Sequence, residues 1–446
     1  MAVADQAEKT ARRVGLALAL LLIPLSLFLQ LTYQRASIVD GPIRADAFRY
    51  YVTASNLYDF GVYSDEPSGD RRTPPASRTK LAPGYPLFLA PFFSIASSTA
   101  DLLERVTTAQ ALLGALLPLL TYLLARTQLG VAAAFAAALL TALSPHLVAI
   151  GGFLLSDTLF AVVLLLAMLV FVRARQQPAA WWSLLAGVLF GLAQLVREIG
   201  VGIPFVLALL YFVPFDGQPQ GARRRAAGRA LLLLAGTLLV AGPQVYLHAR
   251  AVEGHPLREA NDPWTLVVIG ADIDLAGESR PSDRDPELER MRTDPAAGAP
   301  ALLEHLLADP LPHLRWYLGG KAVFLWRWDN LYNGDVYQYP MKRRGFDEHF
   351  LLRAIRAVMR WLHAPLHVLA LVIVPLGFAL GGGWKRRETL ALGAPLFALL
   401  LYHIALLTVL IPVPRYSIPL RPYVYILAAM ALSQIASWLR AWRCKA

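Results

Sequence analysis

Long apolar runs, each closed by a basic or turn-forming stretch, set the pattern of this chain. The first, Val14–Tyr33, follows Lys9, Arg12 and Arg13. At about 20 residues it is long enough to cross a bilayer as a helix. Similar runs recur at Val106–Leu124, Leu129–Ile150, Thr158–Val172, Trp181–Val196, Gly200–Phe215, Ala230–His248, Ile355–Leu380, Thr389–Ile411 and Pro422–Trp438. They predict an all-α polytopic membrane protein of about ten transmembrane helices.

Two polar stretches interrupt the apolar pattern. Asp40–Pro91 begins with helical spacing of Phe48, Tyr51, Val52 and Leu57, passes through a Pro-, Gly- and Arg-rich loop at Asp65–Thr79, and ends in a short apolar run, Tyr85–Ile95. This predicts two interfacial helices joined by a loop. The second stretch, Ala249–Arg353, holds a loop at Gly277–Pro300 and an amphipathic helix expected over His313–Trp328, whose tryptophans suit the headgroup level. The organisation expected is therefore an N-terminal membrane core over 1–248 that includes a first outer loop at 34–105, a long external loop over 249–354, and C-terminal helices over 355–446.

Charge fixes the expected orientation. Arg126, Arg173, Arg175, Arg223–Arg225, Lys385–Arg387, Arg440 and Arg443 all fall on one side of the count. Cytoplasmic loops carry such an excess, so both termini are expected in the cytoplasm, with the first loop outside an inner (plasma) membrane. The first run is expected to stay as an uncleaved helix, because no small-residue cleavage site follows it closely. Only 16% of residues are charged, 56% are hydrophobic and the formal net charge is +11. The bases sit beside apolar runs, so membrane lipids are the expected partner and nucleic acid is not. A single cysteine, Cys444, excludes an internal disulfide and a cysteine metal site. No nucleotide-binding or serine-hydrolase motif and no internal repeat is present.

Candidate chemistry gathers at the outer ends of spans. Asp46 and Asp157 stand at helix mouths, where an acid either caps the helix or faces a cavity. Lys80 either snorkels to water or holds a lipid phosphate. Arg197-Glu198 reads either as an internal ion pair or as part of a pocket. Arg258 and Arg415 also lie just past outward spans, and several outward bases near one pocket suit an anionic phosphate. His146 and His403 read as packed polar groups.

Asp46 with Tyr50 and Tyr51, the Lys80–Leu89 string with its Pro83-Gly84-Tyr85-Pro86, Leu155–Phe160 around Asp157, Gly191–Arg197, and Arg415–Pro419 come in an order and spacing that resembles a known family. The chain is similar to the GT-C membrane glycosyltransferases, in particular the bacterial protein O-mannosyltransferase-like branch and the aminoarabinose lipid A transferases. The resemblance implies a sugar donor carried on polyprenyl phosphate and an acceptor that is a lipid, glycan or protein. It implies an active site facing the exterior, Asp46 and Asp157 as catalytic carboxylates, and Lys80 on the donor phosphate; on physical grounds Asp46 is expected to take the acceptor proton as general base, and Lys80, Arg258 or Arg415 to stabilise the leaving phosphate. Tyr50, Tyr85 and Arg197 are expected in support. No cofactor is required by any motif. A divalent metal stays open, although the acid that precedes the lysine in the lipid A transferases is Thr79 here. Trp326–Asp329 echoes an oligosaccharyltransferase motif only superficially and is expected to be part of the interfacial helix. The rival reading is a flippase that moves a lipid-linked sugar without chemistry; the spans are mostly free of polar residues in their middles, which favours the enzyme.

Overall fold

The computed structural model describes residues 2–69, 72–213, 222–250, 257–258, 263–275, 295–380 and 389–443. Among these, seven helices are long and apolar enough to cross a membrane: Arg13–Ala36, Thr99–Ala125, Asp157–Gln176, Arg224–Gln244, Phe350–Ala379, Leu390–Val409 and Pro414–Arg440. The protein is all-α and polytopic. The other three expected spans are the shorter helices Val131–Ala142, Trp181–Val196 and Glu198–Phe212. Each falls short for a local reason. The run 129–150 breaks at Ser144, and Pro145 starts a separate six-residue helix; proline removes a donor and clashes with the preceding turn. Gly200, Gly202 and Pro204 delay the third helix. Trp181–Val196 has 16 residues, a rise of about 24 Å against a hydrocarbon core of about 30 Å.

That short helix is held by close approach. A Cβ on Gly187 would lie 2.0 Å from the Leu233 carbonyl oxygen, and one on Gly191 would lie 2.7 Å from Val240 Cβ. The four-residue spacing of the two glycines lets the Ala222–Arg250 helix pack backbone to backbone, the small-residue association that serves helices in lipid.

Two small strand pairs stitch the 249–354 segment onto the 34–105 loop. Ile38–Val39 pairs antiparallel with Met341–Arg343. Arg78–Thr79 pairs parallel with Leu257–Arg258, with Thr79 opposite Arg258. The two expected loop helices are present as Ala45–Phe60 and Gly84–Ile95.

The amphipathic helix expected over His313–Trp328 differs. Helix Pro310–Arg315 runs through a widened turn at Trp316–Gly320 into Lys321–Leu325 and stops there. Trp316, Trp326 and Trp328 are buried rather than interfacial. The Trp328 carbonyl accepts from His146 at 2.7 Å, and the Trp326 carbonyl accepts from His363 at 2.7 Å. Trp328 and Trp326 are thus tied through their carbonyls to helices outside their own segment, and Trp316 Nε1 donates to the Gly270 carbonyl at 3.0 Å. His146 and His403 are buried as expected. The loop expected at Gly277–Pro300 lies mostly outside the described residues, and the basic patch Lys385–Arg387 lies wholly outside them.

Candidate active site

The Ala45–Phe60 helix opens with a residue in a sparsely populated conformation. Ala45 has φ +46°, left-handed for a non-glycine. Such residues cost roughly 1–3 kcal/mol and persist only where surrounding contacts hold them. What holds this turn follows directly: the Ala47 amide donates to the Tyr339 hydroxyl at 3.3 Å, and Asp46 receives Arg415. The turn projects Asp46, Arg49 and Tyr50 from one face, as residues three and four apart must on a helix.

A chain of alternating charges results. Arg415 Nη1 donates to Asp46 Oδ2 at 2.7 Å. Its Nε and Nη2 reach Asp157 Oδ2 at 2.9 and 2.8 Å. Arg197 Nη1 donates to Asp157 Oδ1 at 2.5 Å. Asp157 is fully buried and the Arg415 side chain is 5% exposed, whereas the Asp46 side chain is 47% exposed. Two acids and two arginines cancel, which is how a cluster this dry avoids a bare buried charge. Asp157 stands in the first turn of its helix, yet the capping residue Ser156 makes no side-chain cap bond. Both carboxylate oxygens of Asp157 go to arginines, so the cap reading of this acid fails. The Arg197-Glu198 ion-pair reading fails as well, because Arg197 turns to Asp157 while Glu198 feels Lys80 electrostatically.

Burial alone would raise the Asp46 carboxyl, but the charge and hydrogen bond of Arg415, helped by Arg197 and Arg49, hold it below the ordinary aspartate value. The Tyr50 hydroxyl lies 3.1 Å from Ser156 Oγ, and its ring meets the Tyr85 ring edge-on at 4.8 Å. Tyr85 is itself buried and donates to Gln110 Oε1 at 2.6 Å. Tyr85 therefore supports Tyr50 from behind and does not face the cavity.

Asp46, Arg49, Tyr50, Arg197, Glu198 and Tyr416 form the polar wall of a cavity of about 400 Å³, within the roughly 300–1,000 Å³ of small-molecule sites. The rest of the lining is apolar and includes Ile199, Val201, Leu406, Leu410 and Ile411, with Pro263 and Leu266 of the 249–354 segment. Lys80 adjoins the wall residues Leu81 and Ala82. The strand pair at Thr79 brings the Arg258 backbone alongside; the Arg258 side chain lies outside the described residues.

Of the predicted residues, Asp46, Asp157, Arg197 and Arg415 form one network, with Tyr50 beside it. Arg415 is engaged by two carboxylates, which makes it a holder of the acids rather than an open phosphate site. Arg49 was not singled out from the sequence. It makes a two-nitrogen bridge to the buried Asp65, Nε and Nη2 each at 2.8 Å. Its place three residues after Asp46 is the signal that points to it.

A divalent metal does not fit this donor set. Asp46 Oδ2 and both oxygens of Asp157 already accept from arginine N–H groups. Among the described residues no three His, Cys, Asp or Glu side chains are grouped to hold an ion.

Comparison with known proteins agrees with this architecture. A family model described as dolichyl-phosphate-mannose-protein mannosyltransferase matches residues 80–246. The oligosaccharyltransferase AglB of Archaeoglobus fulgidus, solved with an inhibitory peptide and a dolichol-phosphate, superposes over 97% of this chain at TM-score 0.52 and 15% identity. An Archaeoglobus fulgidus oligosaccharyltransferase tethered to an acceptor peptide gives TM-score 0.51 at 17% identity, also over 97% of this chain. The chain spans about half, 51%, of the length of AglB. ArnT of Cupriavidus metallidurans bound to undecaprenyl phosphate matches at TM-score 0.48 and 16% identity, over 93% of this chain and 60% of its own. No curated protein matches by sequence.

Proposed function

We propose that this chain, which shares its fold with the AglB oligosaccharyltransferase and matches a mannosyltransferase family model over residues 80–246, is a GT-C membrane glycosyltransferase that moves a sugar from a polyprenyl-phosphate donor to an acceptor hydroxyl at the outer face of the membrane. The observation that carries the reading is Asp46: an ionised carboxylate on the cavity wall, with one oxygen fixed by Arg415. The acceptor O–H gives its proton to Asp46 while its oxygen attacks the anomeric carbon. The bond from that carbon to the phosphate oxygen breaks, and the electron pair leaves with the lipid phosphate, which gains one negative charge. A single in-line displacement inverts the anomeric centre.

Neutralising the leaving phosphate falls to cations outside the balanced cluster. Arg258, whose backbone pairs with Thr79, and Lys80, the next residue along and the one before the wall residues Leu81 and Ala82, suit this. Arg197 and Arg415 act through Asp157 and Asp46 instead. The apolar wall suits the first isoprenes of the donor, and AglB was solved with a dolichol-phosphate. The protein sits in the inner membrane, with both termini in the cytoplasm and the cavity outward, as the distribution of basic residues supports.

Asp46→Asn tests the reading. It keeps the size of the side chain and removes the base, so transfer should drop by about 10²–10⁴, the usual contribution of a general base, with expression and membrane insertion intact. Full activity in Asp46→Asn ends this role for the residue.

A further inference from the structure

We infer that Arg415 stands where a bridging divalent cation would otherwise join the two acids, so that the site works with a built-in organic cation and needs no metal. The inference rests on the transferase reading for its chemistry, but its geometry is independent of it. Arg415 contacts Asp46 with one terminal nitrogen and Asp157 with Nε and the other, at 2.7–2.9 Å. The two acids come from distant elements, the first outer loop and the start of the Asp157–Gln176 helix. The arginine joining them stands at the start of the last span, Pro414–Arg440. One group thus ties three parts of the chain into a fixed arrangement, the task a bridging ion performs.

The charge count supports the substitution. Arg415 and Arg197 together carry two positive charges against two carboxylates, the balance a single divalent ion would give. A guanidinium stays protonated at any working pH and its planar fork matches carboxylate geometry. Three of the four carboxylate oxygens are already used by arginines, and an ion entering between the acids would meet a buried like charge that has no space to swing away. Arg415 is 5% exposed, and the neighbouring Ile418 and Leu420 are buried with it. Arg197 is further pinned with its guanidinium 5.2 Å from the Tyr416 ring centroid. Arg415 is therefore a positioning residue: it holds Asp46 ionised and oriented without touching the sugar.

The test uses the full-length protein in detergent with Mn²⁺ as the probe. Electron paramagnetic resonance would follow Mn²⁺ binding to wild type, Arg415→Ala and Arg415→Ala/Asp157→Asn, and transfer would be measured with EDTA and with Mn²⁺. Wild type is expected to bind no Mn²⁺ in an Asp46-dependent way, and EDTA should change its transfer by no more than about twofold, where loss of a catalytic metal costs far more. Arg415→Ala is expected to expose the paired acids and gain a Mn²⁺ site that the second substitution abolishes. Arg415→Lys, which keeps the charge but loses the fork, guards against misfolding: it should stay free of Mn²⁺ and transfer about 10-fold or more slowly. Mn²⁺ bound to wild type and lost in Asp46→Asn would overturn the inference, as would transfer that EDTA stops and Mn²⁺ restores. In the second case the transferase reading survives. If no donor supports transfer under any condition that reading falls, and the Mn²⁺ spectra still decide the place of Arg415.

Discussion

Replacing Asp157 with asparagine separates two accounts of this acid by magnitude. If Asp157 only capped its helix, the loss would be about 1 kcal/mol. The structure places it instead under two arginines, with three N–H groups aimed at its two oxygens and no exposure to water. Asparagine keeps one acceptor and turns an NH₂ towards a guanidinium. The cluster then carries two positive charges against one negative. Removing one partner of a buried pair costs about 3–5 kcal/mol, most of it the penalty for the stranded charge. Because Asp46 is half exposed and still faces Arg415, part of that is recovered, and a loss of about 2–4 kcal/mol is expected. Denaturation in mixed micelles at neutral pH would measure it, with Arg415→Met and the double variant closing a cycle. The coupling should exceed about 1 kcal/mol and change little between low and high salt, since the pair is dry. A loss of 1 kcal/mol or less with no coupling to Arg415 would refute the network.

Other consequences follow from single contacts. Gly187→Ala would put a methyl 2.0 Å from the Leu233 carbonyl oxygen, so the two helices must part; a loss of about 1–3 kcal/mol is expected, read by thermal melting in detergent. Burial pushes the Lys321 ammonium down from 10.5 to about 7. Between those values the unfolded chain holds the extra proton, so stability rises with pH across this window and the penalty is complete below it; Lys321→Met should flatten that slope in melts run across the same pH range. The Asp46 carboxyl is depressed in the folded protein, so its contribution to stability is present above the unfolded aspartate value of 3.8 and is lost only as pH falls through its lower folded value; transfer should therefore show no acid limb from this group above about pH 4. Lys80→Ala should lower kcat/KM for the donor by about tenfold or more, as the loss of a charge-assisted phosphate contact does, measured with donor varied and acceptor fixed.

Local pattern carried most of the fold. A run such as Thr158–Val172 announces itself by length and by Arg173 at its end, and the structure extends it only to Asp157–Gln176. Where the pattern misled, the cause was specific. Periodicity across 129–150 hides the break at Pro145, and the aromatics of 316–328 look interfacial because their contacts to Gly270, His146 and His363 are long-range. Arg175, counted as a cytoplasmic charge, is buried and donates to the Leu390 carbonyl at 3.0 Å. The site was legible as a set of residue types and not as an arrangement. Asp46 and Asp157 stand out as acids at helix mouths, but nothing local says that Arg415 joins them from 258 residues beyond Asp157. The pairing of Thr79 with Arg258 is equally long-range, formed by strands of two residues each, too short for any alternation to register.

Purified protein in sealed vesicles, given a labelled polyprenyl-phosphate sugar on one side and run beside Asp46→Asn, tests the central claim most directly. Label that leaves its lipid and appears on an acceptor, with the wild type and not with Asp46→Asn, is the predicted result. Label that crosses the bilayer still attached to its lipid, equally with both proteins, would contradict it and make the chain a flippase.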